Sequence, residues 1–434
     1  MTTAAGSGII DELRWRGVLA QSTDEDALRA ALDAGPVTFY VGFDPTAPSL
    51  HMGNLVQLVT AKRLQDAGHV PLLLVGGSTG LVGDPRMSGE RVLNDPEVVA
   101  SWVARIAEQV RPFVSFEGPN AARLVNNLDW TAPMSAIEFL RDVGKHFRVG
   151  RMLAKEAVSA RMASDEGISF TEFSYQILQG MDYLELFRRY GCTLQTGGSD
   201  QWGNITSGVD LVHRVEGASV HALSTQLITK PDGTKFGKTE SGTVWLSPEM
   251  TSPYAFYQFW LAAEDAAVDW YLRVFTQRTQ EELAALAEET AARPQARAAQ
   301  RLLAQDVTTL VHGAETTARV EAASAALFGQ GDLASLDHGT LASALAELPT
   351  ARVSPGEPLL VPRLLADAGV VPSASAGRRA VAEGGAYVNN ERWTDADAPV
   401  DAGSLLHGRW LVLRRGKRTL AAVDVRGAEG SGAA

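Results

Sequence analysis

Residues 40–55 read YVGFDPTAPSLHMGNL, and this stretch decides the fold. A β-branched and aromatic run from Val37 to Phe43 predicts a strand, Asp44 to Pro48 carries turn residues, and apolar periodicity resumes as a helix from about Gly53. Strand, short loop and helix follow in order. In such a unit the helix N-terminus aims backbone N–H groups and the positive end of its dipole over the strand's carboxyl edge, where a phosphate is stabilised. His51 and Asn54 are three residues apart, so on the first helical turn they face the same side. Asn54 can donate a hydrogen bond but does not titrate near neutral pH. The plainer alternative is that His51 caps the helix and Asn54 is solvated.

Further along, His69 to Gly76 is a short continuous apolar run, the pattern of a strand buried on both faces of a parallel sheet. A loop of small residues follows, with Asp84 as a carboxylate at the strand's carboxyl end. Its glycines fit neither a Walker A loop nor a dinucleotide fingerprint. Pro96 to Val114 reads as an amphipathic helix and Ala122 to Asn126 as a strand. Two helices near Ser135–Phe147 and Arg151–Met162 read as an insertion between the halves of a doubly wound sheet.

Ser169 to Tyr190 is the richest segment. On one helix Tyr175, Gln179, Asp182 and Leu186 form a single stripe, and three polar groups on that stripe point to a ligand site or a buried network. Cys192 to Thr196 predicts a strand ending in GGSDQWGN, residues 197–204, again a glycine pair between strand and helix. Lys235 and Lys238 sit on a glycine-punctuated loop, a mobile cation pair suited to charge that develops only in a transition state. A solvated surface loop is the alternative.

The 434 residues are too many for one ordinary core, and 45% hydrophobic with 21% charged composition fits a globular chain. No apolar run is long enough to span a membrane and no secretory signal is visible, so no membrane association is expected. One cysteine, Cys192, excludes an internal disulfide and a multi-thiolate zinc site, which predicts a cytoplasmic address. With 39 basic and 51 acidic residues the net charge is −12, unfavourable for a nucleic-acid binder unless positive charge is gathered locally. Arg409, Arg414, Arg415, Lys417 and Arg418 are such a gathering near the C-terminus.

The motifs together resemble the class I aminoacyl-tRNA synthetases, tyrosyl branch, bacterial type. HMGN stands where the family reads His-Ile-Gly-His, with Asn54 in place of the second His. KFGKT, residues 235–239, resembles the tyrosyl form of the KMSKS signature, and Tyr175, Gln176, Gln179, Gly180 and Asp182 match the branch's helix motif. The resemblance implies an α/β fold: a doubly wound, Rossmann-like parallel-sheet catalytic domain with a helical insertion, then an all-α domain and a small α+β RNA-binding domain. The expected boundaries are 1–247 for the catalytic domain, with the insertion at about 128–165, then 248–328 for the helical domain. A linker at 329–357, the C-terminal domain at 358–426 and a disordered tail at 427–434 complete the expectation.

The resemblance also implies the site. His51, Asn54, Thr46, Lys235, Lys238 and Thr239 form the catalytic set. Tyrosine is held by Tyr40, Asp84, Tyr175, Gln179, Asp182, Gln195 and Gln201, with Asp182 and Tyr40 on its phenol hydroxyl. ATP, a substrate, lies on Gly42, Asp44, Gly53, Gly198, Asp200 and Lys238, with Mg²⁺ carried by the nucleotide and no protein-bound metal. The implied partners are tRNA(Tyr), L-tyrosine, ATP and a second copy of the chain in a homodimer. A site with buried polar groups waiting for a hydroxyl rejects the analogue lacking it by about 10⁴–10⁵-fold; tyrosyl enzymes are themselves the standing example of that rule, so the magnitude is theirs. A tryptophanyl enzyme, and a catalytically silent RNA-binding protein that keeps the fold, remain as alternatives on sequence.

Overall fold

The structure, a computed structural model, describes residues 8–85, 89, 93–165, 167–229, 237–239, 242–416 and 419–426. The chain divides into two compact units, Met1–Met250 with Ala263–Ala299, and Thr251–Ala262 with Gln300–Ala434.

The first unit is built on a six-stranded sheet of β1 (Leu19–Ser22), β2 (Thr38–Phe43), β3 (Val70–Val75), β4 (Arg123–Asn126), β5 (Leu194–Gly198) and β6 (His221–Thr225). Their spatial order is β1-β6-β5-β2-β3-β4. All neighbours are parallel except β1, which pairs antiparallel with β6 at the edge. The chain runs outward from β2 through β3 and β4, then returns to lay β5 on the other flank of β2. That reversal makes the carboxyl ends of β2 and β5 a topological switch point, where open α/β sheets bind ligands. Tyr40 on β2 is in register with Gln195 on β5, so the two side chains leave the same face.

Local sequence explains most of these elements. The helix Met52–Asp66 follows β2 after the predicted short loop. The helix Phe170–Tyr190 starts at Ser169, whose hydroxyl accepts from Glu172 N, and ends at Gly191 in the left-handed region, where a side chain is disfavoured. Three expectations change. The small-residue loop after β3 is a short helix, Gly77–Val82. A Cβ on Gly76 would run into Thr79 Oγ1 and Asp44 Oδ1, so that glycine allows close packing against the loop after β2. The insertion, expected as two helices, is a series of short turns: Ala136–Glu138, a π-turn at Phe139–Val143, a 3₁₀ turn at Gly144–His146, then Val149–Leu153 and Glu156–Met162. The edge strand β1 was not anticipated, because four half-exposed residues carry little periodic signal.

Helices Asp265–Phe275 and Gln280–Ala292 cluster with the sheet unit. Arg16 and Arg63, both buried, donate to the carbonyls of Arg273 and Thr276 and so satisfy the C-terminal end of the first of these helices. Burial pulls the Arg63 guanidinium down to about 9.

The second unit contains the helices Pro253–Leu261, Ala314–Leu327 and His338–Ala346 and a five-stranded sheet. Two residue pairs of the first unit, Lys238–Thr239 (β7) and Gly242–Thr243 (β8), form a small hairpin. In the second unit β9 (Thr350–Val353), β10 (Ala386–Val388), β11 (Glu391–Arg392), β12 (Trp410–Arg415) and β13 (Thr419–Val425) stand in the order β11-β10-β12-β13-β9. Residues 329–357, expected as a linker, therefore carry a helix and a strand. Leu333, Leu336, Leu341 and Leu345 are buried, and β9 runs parallel to β13. The Gly, Ala, Ser and Pro content of that stretch concealed these leucines. The expected tail at 427–434 lies outside the described residues.

The basic C-terminal run is partly engaged inside its own sheet. Arg409 grips Asp424 with two hydrogen bonds, at 2.7 and 3.0 Å, and its guanidinium lies 4.1 Å from the centroid of Trp410. Arg414 stacks 4.0 Å from the centroid of Tyr387, while Arg415 is exposed. Lys417 and Arg418 lie outside the described residues.

Candidate active site

Asp182, on the Phe170–Tyr190 helix, is 2% exposed. Its Oδ1 accepts from Trp130 Nε1 at 2.9 Å and its Oδ2 from Asn127 Nδ2 at 3.0 Å. Burial raises its carboxyl to about 7 against those two donors, which favour the charged form. Tyr40, 1% exposed, packs edge-on against Tyr183 with ring centroids 5.3 Å apart. Burial pushes the Tyr40 phenol well above its usual range, and the nearby Asp182 charge adds to the effect. Its hydroxyl is buried and finds no hydrogen-bond partner among the described residues. Tyr40 lies in an apolar cluster with Leu72, Ile177 and Met181, near enough to Asp182 to feel its charge.

From Asp182 the network continues toward the switch point. Asn127, fully buried, gives its second amide hydrogen to Thr79 Oγ1 at 3.0 Å, and its Oδ1 accepts from Ser78 N at 2.7 Å. Thr79 donates to Asp44 Oδ1 at 2.6 Å, and Tyr175 donates to Asp44 Oδ2 at 2.5 Å. Burial raises the Tyr175 phenol well above its usual range, and the Asp44 carboxylate adds to the effect. One continuous set of bonds therefore runs from Trp130 to Tyr175. Gln179 Oε1 and Gln195 Oε1 are buried with no hydrogen-bond partner among the described residues. Unpaired buried amide oxygens of this kind are costly unless a ligand satisfies them.

At the ends of β3 and β5, Gln201 donates to Asp84 Oδ2 at 2.9 Å. An α-amino acid carries its ammonium and carboxylate on one carbon, so an acceptor carboxylate beside an amide donor is a fitting receptor for the pair. The carboxylate of Asp200 leans over Gly198, where the missing side chain leaves room for it. Gly42 lies on β2, and Thr46 is exposed in the following loop.

His51, Gly53 and Asn54 form a second group on the next helix. His51 is the N-cap: its Nδ1 accepts from Gly53 N at 3.0 Å, and Asn54 Oδ1 accepts from His51 N at 3.1 Å. The capping alternative is thus realised, and it fixes chemistry as well. A ring nitrogen that accepts is unprotonated, so the neutral imidazole carries its proton at Nε2, and Asn54 has its NH₂ as donor.

The lysine-bearing segment docks on this same turn. Gly237, at φ +76°, is so close to Met52 that a Cβ on the glycine would meet Met52 Cβ. Met52 N donates to Val244 O at 3.1 Å and Leu246 N to Leu50 O at 2.9 Å. The backbone of Lys238 and Thr239 lies in β7, with their side chains, and all of Lys235, outside the described residues.

Sequence reasoning missed Thr79, Asn127 and Trp130. Asn127 and Trp130 directly follow β4, the carboxyl-edge position where a functional side chain can be sought, but no spacing marks them. Among the described residues no group of three or more His, Cys, Asp or Glu is gathered to hold a metal, and no helix is long and apolar enough to cross a membrane.

Comparison with known proteins agrees with this architecture. Residues 32–329 match the family described as tRNA synthetases class I (W and Y), and residues 340–423 match the tyrosine–tRNA ligase SYY-like C-terminal domain. The chain is 66% identical to a tyrosine–tRNA ligase of Streptomyces griseus over 418 residues, covering 96% of this chain and 98% of that one. A tyrosine–tRNA ligase of Streptomyces avermitilis is also 66% identical, covering 96% and 99%. Among solved structures, a C-terminally truncated mitochondrial tyrosyl-tRNA synthetase of Aspergillus nidulans superposes with a TM-score of 0.66 at 30% identity, covering 72% of this chain and 92% of that one. By matched length and identity, the chain belongs to the class I tRNA synthetases of the W and Y group, within their tyrosine–tRNA ligase family.

Proposed function

We propose that this protein activates L-tyrosine with ATP, releasing pyrophosphate, and transfers the tyrosine to the 3′ end of tRNA(Tyr). The observation that carries the choice of amino acid is the buried pair of Tyr40 and Asp182, with Trp130 and Asn127 holding the carboxylate. A phenol hydroxyl placed between them satisfies both groups. An indole, the substrate shape of the tryptophanyl alternative, offers no oxygen to Tyr40.

Asp84, Tyr175 and Gln179 receive the substrate's ammonium, Gln201 its carboxylate, and Gln195 lines the same pocket. The carboxylate is ionised at neutral pH, so its in-line attack on the α-phosphate needs no general base. Alignment and charge stabilisation are what the site must supply. His51 Nε2–H, the Asn54 amide and the Thr46 hydroxyl are donors near the start of the His51 helix. Lys235, Lys238 and Thr239 act from the segment that Gly237 anchors on Met52. Gly42, Asp44, Gly53, Gly198 and Asp200 take the nucleotide, and Mg²⁺ enters with ATP, held largely by phosphate and water.

The protein works as a homodimer in the cytoplasm. Ile137, Leu140, Val149, Leu153, Met162 and Phe170 are exposed apolar residues of one chain region, which supports a second copy as their cover. A single buried cysteine among 434 residues supports a reducing compartment. Charging of purified tRNA(Tyr) with labelled tyrosine tests the overall reaction: acceptance by tRNA(Tyr) and not by tRNA(Trp) supports the reading, and the reverse overturns it.

A further inference from the structure

Lys155 lies between two short helices of the insertion, Val149–Leu153 and Glu156–Met162, yet it does not point into solvent. Its stem runs along Gly203, where a Cβ would stand 3.5 Å from Lys155 Cε, and its ammonium donates to Asn204 Oδ1 at 2.8 Å. Asn204 in turn donates to Gln201 Oε1 at 3.0 Å and to Asp84 Oδ1 at 3.2 Å, while Gln201 donates to Asp84 Oδ2 at 2.9 Å. A carboxylate and two amides thus close a triangle, and Lys155 bonds to it through Asn204.

The polarity of this set is determined from its ends. An ammonium only donates, and an ionised carboxylate only accepts. With Lys155 at one end and Asp84 at the other, Asn204 must turn its oxygen to the lysine and its NH₂ to the triangle. Gln201 must then turn its oxygen to Asn204 and its NH₂ to Asp84. We propose that Lys155 is a positioning residue for the amino-acid clamp, acting through Asn204 to orient Gln201 and Asp84 toward the substrate's carboxylate and ammonium. This rests on the assignment of Asp84 and Gln201 to tyrosine. Burial draws the Lys155 ammonium down to about 8, with Asp84 opposing the shift, as expected for a cation held inside the fold. Removing it leaves Asn204 Oδ1, on a residue 9% exposed, without that donor.

The test is tyrosine-dependent pyrophosphate exchange by the full-length Lys155→Met variant, which keeps the stem and loses the ammonium. KM for tyrosine is expected to rise about tenfold while KM for ATP stays within about twofold. In an Asn204→Ala background the same substitution is expected to add less than about twofold, because both changes break one chain of bonds. An unchanged KM for tyrosine, an equal rise in both KM values, or full additivity with Asn204→Ala overturns the proposal. Asp84→Ala separates the two layers. If it leaves KM for tyrosine unchanged, the clamp itself is misassigned; if it raises that KM and Lys155→Met does not, the role of Lys155 alone falls.

Discussion

Asn127 donates to Asp182 Oδ2 at 3.0 Å with one amide hydrogen and to Thr79 Oγ1 at 3.0 Å with the other. Through Thr79 it joins the carboxylate proposed to read the substrate's phenol to Asp44, proposed to lie near the nucleotide. Truncation, Asn127→Ala, strips a donor from Asp182 and an acceptor from Ser78 N, both buried. The variant is expected to lose about 1–3 kcal/mol of stability, as measured by urea unfolding. A variant as stable as the parent contradicts the network's structural weight.

Asp182→Ala is expected to lose most discrimination against phenylalanine. The remaining pocket keeps its apolar lining but loses the carboxylate that accepts the phenol's proton, and packing alone separates such close analogues poorly. The ratio of kcat/KM for tyrosine and phenylalanine checks this. An unchanged ratio removes Asp182 from the specificity role.

The raised carboxyl of Asp182 gives a pH dependence. The folded protein binds this proton more tightly than the unfolded chain does. That preference favours folding below a carboxyl's ordinary 3.8 and is lost as pH rises toward about 7. Above about 7 the carboxylate is ionised and accepts fully from a phenol hydroxyl. Discrimination for tyrosine over phenylalanine is therefore expected to increase with pH through about 7 and then level off. In Asn127→Ala, with one charge-favouring donor gone, the midpoint is expected to move upward. Discrimination that is flat from acid to mildly alkaline pH contradicts the assignment.

Lys238→Ala is expected to slow adenylate formation far more than it weakens tyrosine binding, since a cation reaching the developing phosphorane acts chiefly in the transition state. Gly237, packed on Met52, gives the segment its anchor beside the His51 turn. Stopped-flow rates of adenylate formation beside equilibrium tyrosine binding separate the two effects. Equal losses in both point to a ground-state role.

A charge placed in the exposed apolar region should be incompatible with a second copy. Ile137→Asp and Phe170→Asp, at residues 69% and 70% exposed, are expected to yield monomers by sedimentation at micromolar concentration while leaving the fold intact. Dimers that persist in both variants place the interface elsewhere.

What could be read from sequence follows its physical signal. β2, the His51 helix and the Phe170–Tyr190 helix were legible because strand and helix periodicity, glycines and caps all agree there. Tyr175 and Asp182 share a stripe, so their placement toward one network was visible too. Asn127, Trp130 and Thr79 come from segments with no periodic mark, and Lys155 from a helical stretch that gives no sign of its partners; their meaning arises only when β3, β4 and the insertion are brought together. β9 was hidden for a related reason. Its pairing partner β13 lies far along the chain, so nothing local announces it.

The most direct test of the central claim is pyrophosphate exchange measured with each of the twenty amino acids in turn. Exchange driven by tyrosine, and by no other amino acid at comparable efficiency, is the result this account predicts. Exchange driven by tryptophan, or none at all, contradicts it.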